Sequence, residues 1–232
     1  MNSKINFSTS TAILLFAQSE QTEALSKNVS SSSKKNLLLW KKLNQKAVQT
    51  VKKTQLPYFI SNETTQVGAN FGTKLTHAIQ SVFEKGFEKV IVIGNDSLAL
   101  SASMLLNAEK QLQNKEVILG ADFHGGAYLI GVSKTSFNPQ DFQSVNWQSH
   151  SVFSELKIIF SNQSITFLPK LHDCNDRNSF EQSMNMLWHS SRIRAFLMAL
   201  LHERLSVPVL VFLSQLDTYT QEFNNKGSPV WS

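Results

Sequence analysis

Six short apolar runs, at residues 12–17, 58–61, 89–94, 117–120, 127–132 and 165–168, constrain the fold of this chain more than any other feature. Each is too short for a buried helix and rich in aliphatic, often β-branched residues, so each reads as a buried strand. Helical periodicity separates the earlier runs. Over residues 36–53, Leu37, Trp40, Leu43, Ala47, Val48 and Val51 fall on one side, with Lys42, Lys46 and Lys53 opposite. A second helix spans about 70–85, with Phe71, Leu75, Ile79, Val82 and Phe83 inward and Gly86 as its stop. A third starts at Ser101 as N-cap and carries Leu105, Leu106 and Leu112. Strands alternating with helices predict an α/β sandwich on a largely parallel sheet. The run 127–132 follows its predecessor too closely for a parallel crossover, which makes it the antiparallel member.

Beyond Asp173 the pattern becomes helical over roughly 179–204, where Phe180, Met184, Leu187, Trp188, Phe196, Leu197, Leu200 and Leu201 alternate with Arg192, Arg194, Glu203 and Arg204 until Pro208 ends it. The run 207–213 fits a strand or a short buried helix equally, and the tail from Asn224 reads as frayed or as a packing arm. This predicts an α/β domain over 1–175 and a helical extension over 176–232, packed on the same domain or on a second subunit of a homo-oligomer.

At 232 residues and 41% hydrophobic content the chain can bury a sizeable core, which excludes a disordered or fibrous protein. The net charge of +5 is a weak guide to partners, because it is concentrated: residues 24–62 hold eight lysines and no acid, leaving −3 for the remainder. No Arg lies in that segment, so it lacks the bidentate base contacts of a specific nucleic-acid reader, and the plain reading is a solvated helix face. A lone Cys174 excludes an internal disulfide framework and fits a reducing compartment. Residues 1–17 carry one lysine and a short apolar run without a small-residue cleavage pattern, so no signal peptide is read there. No stretch approaches a membrane span, and the cytoplasm is the expected location.

In parallel sheets ligands bind beyond the carboxyl ends of strands, which directs attention to the residues after Ala17, Ile93 and Leu119. Gly94-Asn95-Asp96-Ser97 follows one such strand, and Asp96 is placed either to hold Mg²⁺ or Mn²⁺ beside a phosphate or to cap a turn. In the segment from Gly120 to Gly131, the paired Gly125 and Gly126 permit close backbone approach to a ligand, and His124 is a candidate ligand for a metal or a phosphate. A tight strand reversal would demand the same glycines. His172-Asp173-Cys174-Asn175-Asp176 invites a metal reading, but adjacent side chains diverge, and Asp176 or Asn178 fits better as the N-cap of the next helix.

Together these segments resemble a bacterial glycosyltransferase-like family of unknown function (DUF2064 type). The resemblance rests on a first strand ending in Phe16-Ala17, the Gly-rich segment Gln66 to Leu75, Gly94-x-Asp96, the Gly120 to Gly131 segment, Trp147-x-Ser149, and a late Asp before a helix. It spans about residues 12–180. It implies the GT-A, or nucleotide-diphospho-sugar transferase, fold: a three-layer α/β sandwich with a mixed, mostly parallel sheet and here a helical C-terminal extension. It also implies metal-dependent transfer from a nucleotide-activated sugar. On this basis Asp96 and Asp173 are the expected catalytic residues, Asp96 and His124 the expected holders of Mg or Mn, and Lys27, Gly94, Asn95, Gly125, Gly126, Trp147 and Ser149 the expected substrate contacts.

The chain departs from that family at three places. Members typically open with Phe-Ala-Lys-x-Pro-x-Pro-Gly-x-x-Lys-Thr-Arg-Leu, whereas here the Pro, Gly, first Lys and Arg are gone, Glu20 and Glu23 have appeared, and only Lys27 remains nearby. The family's Asp-Gly-Gly is His124-Gly125-Gly126, and its late Asp-x-Asp is Asp173-Cys174-Asn175. Carboxylates in the first loop would repel a diphosphate, so nucleotide binding is expected to be weak or absent. A non-catalytic scaffold is the rival reading, and a nucleotidyltransferase a further one.

Overall fold

The computed structural model describes residues 10–187 and 192–201. In chain order these form β1 (Thr11–Phe16), α1 (Glu20–Ser26), α2 (Ser33–Lys52), β2 (Tyr58–Ser61), α3 (Phe71–Glu84), β3 (Lys89–Ile93), α4 (Ala102–Leu112), β4 (Val117–Asp122), β5 (Ala127–Ser133), α5 (Pro139–Ser144), α6 (Val152–Ile159), β6 (Ile165–Leu171), α7 (Arg177–Asn185) and α8 (Arg192–Leu201). The strands make one sheet in the order β2-β1-β3-β5-β4-β6. β1 runs parallel to β2 and β3, and β4 parallel to β6. Only β5 is reversed, pairing Ile130 with Val92 of β3 on one side and with Leu119 of β4 on the other. Its four-residue connection from β4 leaves no room for a crossover helix, which is why it must run antiparallel.

Alternate strand residues face opposite layers. Ala12, Leu14, Val90, Val92, Leu119 and Ile130 pack with Leu75, Ile79 and Val82 of α3 and with Phe142 and Leu156 of α5 and α6. Ile13, Leu15, Ile91, Ile93, Ile118 and Leu129 pack with Val51 of α2 and with Leu105, Ala108 and Leu112 of α4. Each side chain so buried contributes about 1.5–3 kcal/mol, and a sheet covered on both faces needs the continuous apolar strands that the sequence shows.

Three expectations change. The basic face of α2 is not a single solvated stripe, because the Lys46 ammonium turns inward and donates to the Leu100 carbonyl at 2.7 Å. Leu37 and Leu106 point outward instead of into the core, at 37% and 41% exposure. The helix expected over 179–204 is two helices, since Met186 caps α7 and the Leu187 N–H closes on the Met184 carbonyl at 3.1 Å. The run 207–213 and the tail from Asn224 lie outside the described residues.

The chain divides into two compact units, Met1–Leu187 and Trp188–Ser232, and α7 falls in the first of them. Its N-cap is Asp176, which accepts from the Ser179 N–H at 2.8 Å. Among the described residues no helix is long and apolar enough to cross a membrane.

Candidate active-site cleft

From β1 the chain turns to one side to build β2 and returns past β1 to build β3, so the strand order reverses between β1 and β3. A cleft of about 620 Å³ opens above the carboxyl ends of these two strands, where a sheet of this kind leaves a crevice between diverging loops. Phe16, Ala17 and Gln18 at the end of β1 and Gly94, Asn95 and Asp96 after β3 line it there.

Lys27 is held beside Asp96 by a buried amide. Asn36, on the first turn of α2, donates through Nδ2 to the Ala24 carbonyl at 2.8 Å and to the Lys27 carbonyl at 2.9 Å. Its Oδ1 accepts the Val29 N–H at 3.1 Å, and Trp40 Nε1 also donates to the Lys27 carbonyl, at 3.3 Å. The Lys27 ammonium then lies 2.8 Å from Asp96 Oδ2, 3.3 Å from Glu23 Oε2 and 5.1 Å from the centre of the Trp40 ring. Burial alone would lower its pKa; Asp96 and Glu23 more than reverse this and hold it above the ordinary lysine value. Glu23 is pushed up, chiefly by burial, although Lys27 pulls against that.

Behind Asp96 stand two further acids. Asp173 is buried, accepts from Ser97 Oγ, and is raised well above the usual carboxylate range, first by burial and then by the charge of Asp96. Asp122 at the end of β4 lies close enough to Asp173 to reinforce that rise. Burial and a neighbouring like charge both disfavour the charged form of such an acid. Next to it the Cys174 N–H donates to the Asp96 carbonyl at 2.9 Å, and the thiol is pushed up to about 12 by burial and then by Asp96, which leaves it an inert buried group.

The Gly125-Gly126 pair serves the strand reversal. Asp122 Oδ1 accepts the His124 and Gly126 N–H groups, both at 2.7 Å, and closes the β4–β5 connection on itself. Gly125 adopts φ +90°, and a Cβ there would sit 2.0 Å from the His150 carbonyl oxygen, so only glycine fits. His124 is directed to α7, where its Nε2 meets Ser179 Oγ at 3.1 Å, and it does not line the cleft. Ser149 likewise ties its own turn, donating to the Asn146 carbonyl at 2.6 Å. The structure therefore brings Lys27, Gly94, Asn95, Asp96, Trp147 and Asp173 to one cleft and leaves His124, Gly125, Gly126 and Ser149 outside its lining.

The opposite wall, apart from Trp147, was not assigned a substrate contact from the sequence. Gln66, Asn70, Phe71 and Lys74 line it from the start of α3, and Trp147 and Gln148 from the loop after α5. Asn70 and Thr73 form a reciprocal capping box that fixes this end of α3. Trp147 donates to the Phe142 carbonyl at 2.9 Å and packs on Phe71 at 5.5 Å between ring centres. Its indole lies so close over Gly72 that a Cβ there would come within 2.7 Å of it. Gln148 is held at φ +65°, an uncommon conformation for a side-chain-bearing residue and a mark of local constraint. The available signal for this wall was Lys74 itself, a cation in the first turn of a helix whose first turn has no acid.

The donor set does not fit a divalent ion. Asp96 is already engaged by an ammonium, Asp173 favours its neutral form, and His124 points to another element. Among the described residues no group of three or more His, Cys, Asp or Glu side chains stands placed to hold one ion.

The sequence pattern of a family described as "Uncharacterized protein conserved in bacteria (DUF2064)" matches residues 30–149. No curated protein matches the chain. Among solved structures, a protein from Desulfovibrio desulfuricans G20, provisionally named a nucleotide-diphospho-sugar transferase, superposes with a TM-score of 0.73 at 22% identity, over 83% of this chain and 94% of that one. A homologue of Rv0371c from Mycobacterium sp. strain JC1 gives 0.45 at 11% identity, over 82% and 97%. The molybdopterin-guanine dinucleotide biosynthesis protein A of Archaeoglobus fulgidus gives 0.40 at 10%, over 75% and 95%. The first likeness, with the mixed six-stranded sheet, establishes a GT-A-like fold.

Proposed function

The chain belongs to the bacterial DUF2064 family, and from that premise we propose that its cleft receives a nucleotide-activated sugar and that the protein is of the glycosyltransferase-like kind. The observation that carries this reading is the position of the cleft: about 620 Å³ above the carboxyl ends of β1 and β3, at the reversal of strand order, with polar side chains converging from six segments of the chain. A nucleoside diphosphate with an attached sugar is of suitable size and polarity for such a crevice. The reading routes no step through Mg or Mn, because the donor set around Asp96 does not fit one. Within it Lys27 supplies a fixed positive charge beside Asp96, and Asp173, whose charged form burial disfavours, adds a hydrogen-bonding carboxyl group.

The second reading, a scaffold that binds no nucleotide and transfers nothing, is favoured by the same Lys27–Asp96 contact at 2.8 Å, which already satisfies both charges. Thermal unfolding with a panel of nucleotide sugars, nucleoside diphosphates and nucleoside triphosphates separates the two. A ligand present at ~100 times its dissociation constant stabilises the fold by about 2.7 kcal/mol, a rise of a few degrees. A rise with one nucleotide sugar supports the proposal. A rise with triphosphates alone points to nucleotidyl transfer instead, and a flat panel leaves the scaffold.

A further inference from the structure

If the cleft takes a nucleotide-activated sugar, the phosphates need a cation, and the residue to which the resemblance gives that role is already committed. Lys27 makes two short contacts to carboxylates, and Glu23, Asp96 and Asp173 all lie at its end of the cleft. A diphosphate brought there would meet carboxylate charge before it met an available ammonium.

Lys74 is placed differently. Among the described residues it lines the same cleft from α3, and no hydrogen bond or ion pair engages its ammonium. It stands one turn into a helix whose amino end carries positive partial charge and whose first turn holds no acid to offset it. A lysine there opposes the helix dipole and gains no partner, so helix stability does not account for it. Phe71, three residues earlier, shares its face of the helix, and the Trp147 indole packs on Phe71 and over Gly72. Gln66, Asn70 and Gln148 line the same cleft.

We infer that the α3 wall is a phosphate-binding subsite in which Lys74 contacts the anionic groups of the ligand without a metal ion, beside the apolar surface of Phe71 and Trp147. The inference rests on the nucleotide reading for the ligand's identity. It commits on its own account to a metal-free phosphate contact at Lys74.

The test is titration calorimetry of the whole chain in EDTA, at two salt concentrations, with inorganic pyrophosphate and with UDP, GDP, ADP and CDP, on the wild type, Lys74→Gln and Lys74→Arg. Wild type is expected to bind pyrophosphate and at least one nucleoside diphosphate. Lys74→Gln is expected to weaken both about tenfold or more, as loss of a charged hydrogen bond does, and Lys74→Arg to stay within about threefold. Should glutamine prevent folding, wild-type affinity must still fall with salt and Lys74→Arg must still bind. Equal binding by wild type and Lys74→Gln overturns the subsite and leaves the nucleotide reading standing. Pyrophosphate binding through Lys74 with no nucleoside diphosphate bound supports the subsite and refutes the nucleotide reading. Binding of neither probe overturns both, and binding that requires added Mg²⁺ or Mn²⁺ overturns the metal-free contact.

Discussion

Replacing Lys27 with methionine removes the cation that contacts Asp96 and Glu23 while keeping the length and apolar stem of the side chain. Its ammonium lies 2.8 Å from Asp96 and 3.3 Å from Glu23, and the three side chains are 24%, 20% and 8% exposed. At an effective dielectric of about 20, each contact is worth roughly 5 kcal/mol of attraction before solvation. Removing the ammonium also recovers its own desolvation cost of several kcal/mol, so the loss comes mainly from two carboxylates left uncompensated. Because both retain some access to water, the net destabilisation at pH 7 is expected to be about 2–4 kcal/mol, below that of a fully buried pair. Glu23 is already raised by burial, and without the cation it loses the opposing pull of Lys27 and moves further up. A carboxyl group so raised favours the folded state at low pH and loses that advantage as pH rises through its folded pKa. The gap between variant and wild type is therefore widest above neutrality and narrows toward pH 5. Urea unfolding at pH 5, 7 and 8.5 measures this, and repeating it with Mn²⁺ adds a second readout. The methionine variant, with two carboxylates freed, gains stability from Mn²⁺ that the wild type does not. A variant as stable as wild type at pH 8.5, or a wild type stabilised by Mn²⁺ alone, would show that Lys27 is not the structural counter-ion of Asp96.

Asp173→Asn mimics the neutral acid, keeps an oxygen for Ser97 Oγ and cannot ionise. Since burial and Asp96 raise the folded pKa of Asp173, wild-type stability falls as pH rises above the ordinary carboxylate range, and the variant's melting temperature should exceed wild type by a margin that is larger at neutral pH than at pH 4. A lower melting temperature at every pH would contradict this. Lys46 is depressed to about 8, chiefly by burial, so its folded state binds fewer protons than the unfolded chain between about pH 8 and the ordinary lysine value, and stability rises with pH across that interval. Lys46→Met is accordingly expected to stabilise at pH 7, with a gain that shrinks by pH 10; a gain independent of pH would assign the effect to packing alone.

The sheet was legible because its signal is local. Each strand from β1 to β6 is a short apolar run that begins within a residue of where the sequence placed it, and the reversed direction of β5 followed from the length of one connection. The short helices were not legible, for a physical reason: α1 has seven residues and α5 six, too few for a hydrophobic period to repeat. Only capping chemistry marks them. Ser19 accepts the Thr22 N–H ahead of two acids in α1, and Asn138 precedes Pro139 at the start of α5, both ordinary helix-start signals. The break between α7 and α8 was hidden because apolar residues continue at helical spacing across it.

The site was legible in position and not in assignment. The rule that ligands collect beyond strand ends located Asp96, but nothing local to either residue links Lys27 to Asp96, which lie 69 positions apart and meet only because β1 and β3 are neighbours. Asn36, which fixes the turn carrying Lys27, resembles any polar residue of a helix until its amide is seen to be buried. The glycine motif has a structural account of its own. Gly125 and Gly126 are demanded by the Asp122 turn and by the His150 carbonyl, so their presence is fully accounted for without a ligand. Lys74 is the converse case. Its charge opposes its helix, no partner engages it among the described residues, and the cleft it lines is the place where a negative ligand would use it. Residues that the fold explains make weak evidence for function; a residue that the fold does not explain, lining a large cleft at the carboxyl ends of the strands, makes the stronger case.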